Sequence, residues 1–243
     1  MKKILLSSLA AAAFAVGSAN AQLINDATGD IAPGIATAGG TLDIVSTEVL
    51  STSSDVTFKL TVNGDVSTGG NDWGNFMIGI ATGNTAGTTT GNAWNRPINL
   101  DSPIGGMNYW IGSWVNGTPA GGAQLWNFAG GSWTELTALA PVISLTAGAQ
   151  SVISLSMPLS SIGITSPTLI YFDAYSSGNT GTDGAVDALS RPTITINNWG
   201  DSYTSSTANG ISSVTVPEPS TYALLGLSAL AVGGYLARRR ARK

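Results

Sequence analysis

The sequence predicts an all-β fold, an antiparallel β-sandwich of jelly-roll type, and three observations carry that prediction. Short apolar runs alternate along the chain with segments rich in Gly, Ser, Thr and Asn. Glycine is frequent, at 31 of 243 residues, while charged residues make up only 10%, so turns are plentiful and long solvated helices are not expected. Between the two ends no stretch shows helical periodicity of useful length, and several show the period of two that belongs to a half-buried strand. Many short strands joined by Gly-rich turns make a sandwich. Two terminal segments flank it: an N-terminal signal peptide and one C-terminal transmembrane helix.

At the N-terminus, Lys2 and Lys3 precede a thirteen-residue apolar run at 4–16, and Ala19-Asn20-Ala21 puts small residues at both positions a signal peptidase inspects. That order is a secretory signal peptide, here residues 1–21. The run is too short for a hydrocarbon core of about 30 Å, which needs roughly 20 helical residues, so cleavage between Ala21 and Gln22 is expected rather than anchoring.

The body follows, with 22–203 read as one sandwich domain. Its clearest strand is 56–62, where Val56, Phe58, Leu60 and Val62 alternate with Thr57, Lys59 and Thr61. Residues 41–50 are β-rich and separated from it by the Ser/Thr/Asp-rich turn at 51–55, which predicts a hairpin. Further strands are expected at 76–80, 109–115, 124–128, 151–157, 169–175 and 193–196. The segments 83–91, 95–106, 117–122 and 176–187 have the Gly, Asn, Thr and Pro content of solvent-facing loops, where binding residues gather. The Ser/Thr-rich stretch 204–216 either completes the last strand or leads outward as a stalk.

The C-terminus reads Val216-Pro217-Glu218-Pro219-Ser220-Thr221, then an uncharged stretch to Ala237, then Arg238, Arg239, Arg240, Arg242 and Lys243. A helix over about 220–237 has 18 residues, the short end for a span, and Gly226, Gly233 and Gly234 weaken it. The basic cluster stops transfer and stays cytoplasmic while the body lies outside. Residues 217–243 resemble the PEP-CTERM sorting signal of Gram-negative bacteria that make exopolysaccharide. The resemblance implies that an exosortase, a polytopic membrane protease, recognises Pro217, Glu218 and Pro219, cuts nearby, and releases or transfers the body outward. Two prolines that remove backbone donors and hold the chain extended suit a peptide laid into a protease groove. The competing reading is a plain tail anchor with a proline-rich hinge. The implied route passes the Sec translocon and signal peptidase, then transient anchoring in the inner membrane with the body in the periplasm, then the cell surface or extracellular matrix.

Composition narrows the chemistry. The body holds three basic residues, Lys59, Arg96 and Arg191, against thirteen acidic ones, a net charge of −10. Such a body does not bind nucleic acid or an anionic membrane surface by electrostatics; calcium and neutral glycans are compatible partners. With neither cysteine nor histidine in the chain, disulfides, Cys nucleophiles, Cys/His zinc sites and Ser-His-Asp triads are excluded. Paired carboxylates of glycosidase type remain, but the body has only Glu48 and Glu135, and nothing in the sequence sets either beside an aspartate. The chain is read as no enzyme, requiring no cofactor, with structural calcium as a candidate.

A second resemblance runs in order through roughly residues 22–200. It rests on Asn25-Asp26-Ala27-Thr28-Gly29-Asp30, Leu42-Asp43-Ile44-Val45, the strand 56–62, and Met157-Pro158-Leu159 before a Ser-rich turn. These are similar to family-9-type carbohydrate-binding modules and their DOMON-like relatives, which implies a jelly roll with structural calcium and in some members a sugar site. Two acidic groups, Asp26/Asp30/Asp43 and Asp173/Asp183/Asp187, could each supply carboxylate oxygens to calcium, or could serve as turn and strand-end aspartates bonded to local backbone. The resemblance favours Asp26 and Asp30 as the metal ligands. Seven tryptophans lie in the body: Trp73, Trp94, Trp110, Trp114, Trp126, Trp133 and Trp199. They either close the core or offer flat faces to sugar rings, and Trp73 and Trp94, nearest the Gly-rich loops, are the candidate platforms. Trp110 and Trp114 are four apart and share a face of their strand. The functional expectation is a non-enzymatic surface or extracellular-matrix protein associating with exopolysaccharide in biofilm. Its competitors are a polysaccharide hydrolase using paired aspartates and a purely structural matrix protein.

Overall fold

A computed structural model of the chain describes residues 20–35, 40–66, 74–115 and 121–216. In chain order the strands are β1 (Asn20–Asn25), β2 (Ile44–Ser51), β3 (Asp55–Asn63), β4 (Asn75–Ala81), β5 (Ile98–Ser102), β6 (Gly105–Gly106), β7 (Tyr109–Trp114) and β8 (Gly122–Ala129). They continue as β9 (Ser132–Glu135), β10 (Val142–Thr146), β11 (Gln150–Pro158), β12 (Thr168–Ser177), β13 (Asp187–Ala188), β14 (Tyr203–Ser206) and β15 (Ser212–Val216). Residues 1–19 of the expected signal peptide 1–21 and the expected span at 220–237 lie outside the described residues. Among those described, no helix is long and apolar enough to cross a membrane.

Two antiparallel sheets pack face to face, one ordered β1-β2-β3-β11-β10 and the other β13-β12-β4-β7-β8-β9 with β15 also on β12. The crossings from β3 to β4 and from β11 to β12 set β3 beside β11 in one sheet and β4 beside β12 in the other. Alternation decides which side chains face inward. In β3, Val56, Phe58, Leu60 and Val62 are fully buried while Thr57, Lys59 and Thr61 stay half-exposed on the outer face. They meet Ile153 and Leu155 of β11, Ile78 and Ile80 of β4, and Phe172 of β12 in one core, where Phe58 and Phe172 touch edge to face at 5.3 Å. Each such side chain contributes roughly 1.5–3 kcal/mol on burial.

The second sheet is covered on its outer side as well. Met77 and Ala81 of β4, Trp110 of β7 and Tyr175 of β12 pack under Ile98 and Leu100 of β5, Met107, Tyr203 of β14, and Ile31 and Ile35 of the loop after β1. Strand β14 runs parallel to β5, and with β6 they form a small third sheet within this outer layer. Residues 98–102, expected as loop, are therefore a strand. Conversely 193–196 forms no ladder, a correction to the expected strand: Ile196 plugs the outer core while Ile194 is exposed, and the chain turns at once where Asp201 accepts from the N–H groups of Asn197 and Asn198. The expected loop 176–187 begins as strand, since β12 runs on to Ser177. The stretch 204–216 supplies most of β14 and all of β15.

The hairpin of β2 and β3 forms in the expected place, with Thr47 opposite Leu60 and Ser51 opposite Val56. Strand β1 begins two residues before Gln22, and the four residues after the expected cleavage point retain their register, from Gln22 opposite Val49 to Asn25 opposite Ser46. Gln22 also donates its Nε2 to the Ser213 carbonyl at 3.0 Å, tying the edge of the first sheet to β15 at the edge of the second.

Candidate binding sites

The loop after β1, the residue before β2 and the short strand β13 converge at one edge of the sandwich, and each brings an aspartate. One carboxylate oxygen from each of Asp30, Asp43 and Asp187 lies within 4.8 Å of the other two, and Asp26 borders the group. Backbone geometry accounts for part of the placement. Gly29, at φ +77°, a left-handed conformation that favours glycine, turns its N–H onto Asp43 Oδ2 at 2.9 Å, and Asn63 Nδ2 donates to the same oxygen. Asp187 accepts from the N–H groups of Ile44 at 2.6 Å and Ala188 at 2.8 Å.

What these bonds leave over is more informative. Asp26 Oδ2, both oxygens of Asp30 and Asp43 Oδ1 are buried without any hydrogen-bond partner. Burial, then the charge of Asp43, raises the Asp30 carboxyl. Burial, then the charges of Asp26 and Asp30, pushes Asp187 well above the usual carboxylate range. Asp26 is pushed up to about 8, by burial first and then by Asp30, Asp173 and Asp43. Among the described residues no basic side chain answers this charge. Lys59 pairs with Glu48 at 3.0 Å, Arg96 is spent on Ser177 Oγ and the carbonyls of Gly178 and Asp183, and Arg191 lies over the Tyr203 ring.

The two acidic groups read from the sequence are thus regrouped. Asp26, Asp30 and Asp43 stay together, and Asp187 joins them from the second group. Asp173 has its own arrangement: Oδ1 accepts from the N–H groups of Ala174 at 2.9 Å and Ser190 at 3.0 Å, and Oδ2 from the hydroxyls of Ser190 and Ser205. Asp183 caps its own turn by accepting from the backbone N–H and hydroxyl of Thr180.

The tryptophans divide similarly. Trp73 lies outside the described residues. Trp110 is fully buried and stacks on Tyr175 at 6.0 Å, the core role. Trp94, Trp114, Trp126 and Trp133 are half-buried and belong to the outer side of the second sheet towards its β9 edge. Gln124 and Trp126 are two apart on β8 and share that face. Gln124 Oε1 accepts from Trp94 Nε1 at 2.9 Å and Trp126 Nε1 at 3.3 Å, fixing two indoles with one amide. Glycines make room beneath: a Cβ at Gly112 would run into the Trp94 ring, and one at Gly122 into the Trp114 ring. Trp94 and Trp114 approach to 6.5 Å, and Phe128 meets Trp133 edge-on at 5.3 Å. Sequence reasoning named Trp94 and missed Gln124, whose position two residues before Trp126 on an alternating strand was the available signal. A separate recess of about 290 Å³ lies between Leu42, Gly178, Asp183 and the exposed Trp199.

Beyond β15 the chain enters its tail. Residues 215–241 match the family model described as the PEP-CTERM protein-sorting motif. This match contains Pro217, Glu218 and Pro219 and the first three arginines of the stop-transfer cluster, and it marks the chain as an exported protein, anchored in a membrane and then processed by an exosortase. No curated protein and no solved structure matches the chain.

Proposed function

We propose that this exosortase-processed protein acts outside the cell as a non-enzymatic component of the surface or extracellular matrix, and that its sandwich associates with neutral exopolysaccharide. Export follows from the sorting motif; the glycan reading is carried by the aromatic face centred on Gln124. Rings held at fixed angles over glycines offer flat apolar area at little conformational cost, which is what the apolar faces of sugar rings stack on. A net charge of −10 on the body favours uncharged polymers over anionic ones. The resemblance to family-9-type modules points the same way.

Native affinity electrophoresis of the mature protein in gels cast with the producing strain's polysaccharide tests this reading. Wild type is expected to be retarded, and Trp94→Ala and Gln124→Ala to migrate nearly as in plain gel. Unretarded wild type would sink the glycan assignment, and oligosaccharides released by the protein would replace it with the hydrolase reading.

A further inference from the structure

We propose that Asp30, Asp43 and Asp187, with Asp26 at their border, bind one calcium ion that staples the N-terminal loop across the edge of the sandwich. Asp43 carries the argument. Asp43 is only 6% exposed, one of its carboxylate oxygens is held by Gly29 and Asn63, and the other has no partner in a setting crowded with further carboxylates. A buried ionised carboxylate without a donor or counter-charge is costly, and here several share one place. All three basic side chains of the body are engaged elsewhere, so the charge of the cluster is met by bound protons or by a cation.

Ligand type and spacing identify the ion. Oxygen donors alone, with no histidine or cysteine in the chain, select a hard cation. Oxygens no more than 4.8 Å apart can surround an ion at the roughly 2.3–2.6 Å of calcium–oxygen bonds, since opposite ligands then lie about 5 Å apart. Four unpartnered oxygens plus Asp187 leave places for water or backbone carbonyls in a shell of about six to eight. Magnesium, which holds its waters and demands a tight octahedron, suits a carboxylate-rich buried cluster less well. The staple joins three pieces of chain, since Asp26 and Asp30 follow β1, Asp43 precedes β2, and Asp187 opens β13 in the other sheet. The calcium proposal stands apart from the glycan reading, which needs no metal.

The mature protein, recovered after processing and stripped with chelator, is melted alone, with millimolar calcium and with millimolar magnesium, and bound calcium is counted by equilibrium dialysis. An extracellular-type site with a Kd of about 10⁻⁴ M should raise the melting midpoint by about 5–10 °C at 100-fold excess, magnesium by less, with one ion per chain. Asp43→Asn and Asp187→Asn are expected to abolish both shift and binding. Because those two are buried and could disturb folding, Asp30→Asn is the decisive variant: neither of its oxygens has a partner, so it should melt above wild type in chelator and gain little from calcium. Asp173→Asn should keep the full calcium response. Wild type that neither binds calcium nor shifts, or an Asp30→Asn protein that binds as wild type does, overturns the proposal.

Discussion

Two buried carboxylate environments lie close together in this sandwich, and the chain handles them in opposite ways. Asp173 is fully buried on β12, yet four hydrogen bonds cover both its oxygens, and the hydroxyls that donate two of them pass the network on to Tyr203 and Tyr175. In the other group Asp43 and Asp187 are buried almost as deeply but accept only two hydrogen bonds each, and Asp43 Oδ1 and both oxygens of the half-buried Asp30 have no partner. The lesson is that burial alone does not make a metal centre. Where serines and N–H groups are supplied, an aspartate is part of the scaffold; where they are withheld, the site we propose leaves it for a cation.

Removing the donors' acceptor is the strongest way to test that contrast. Asp173→Ala leaves the N–H groups of Ala174 and Ser190 without partners, at about 1–3 kcal/mol each, so a loss of about 4 kcal/mol is expected in urea unfolding. That loss should be the same with calcium and with chelator. A loss that changed with calcium would merge the two regions into one unit.

The pH dependence of Asp173 separates them next. Burial pushes its carboxyl from about 3.8 up to about 6 despite the four bonds. A raised acid pKa means that the folded protein holds the proton more tightly, so this contribution is fully present below about pH 4 and is lost as pH rises through about 6; the shift corresponds to about 3 kcal/mol. Measured as the difference in unfolding free energy between wild type and Asp173→Asn, wild type should lose ground between those values and hold level above them. A flat difference would mean that Asp173 stays ionised throughout.

The smallest effect belongs to the third way this protein treats a carboxylate. Glu48 sits on the outer face of the first sheet paired with Lys59 at 3.0 Å, both about a third exposed. Lys59→Met should cost less than about 1 kcal/mol, and less still in high salt. A larger cost would show that charge pairing, and not only donor supply, governs carboxylates in this fold.

Much of the frame was legible in the residues. The alternation from Val56 to Val62 set the burial of β3 residue by residue, because a period of two leaves no freedom once one face is covered. The strands around β4, β7, β8, β11 and β12 fell where apolar runs stood between glycines and polar turns. The outer layer was not legible. Strand β14, Tyr203–Ser206, is short and polar, and it is a strand only because Ile98–Ser102 lies alongside it in parallel. Likewise Thr193 to Ile196 alternates as a strand should but finds no edge to pair with.

Sequence by itself determined the sorting tail and the limits on chemistry. The sorting motif and the absence of Cys and His are linear features, readable without a fold because the machinery that reads the tail does so on extended chain. Tertiary structure alone decided which aspartates meet and which indoles share an amide. Ile44 and Asp187 are 143 positions apart, and Trp94 reaches Gln124 across 30, so only the packing of β2 against β13 and of the loop over β8 creates those neighbours. The physical reason is that a carboxylate's role is set by the donors and charges within a few ångströms, and chain order does not record them.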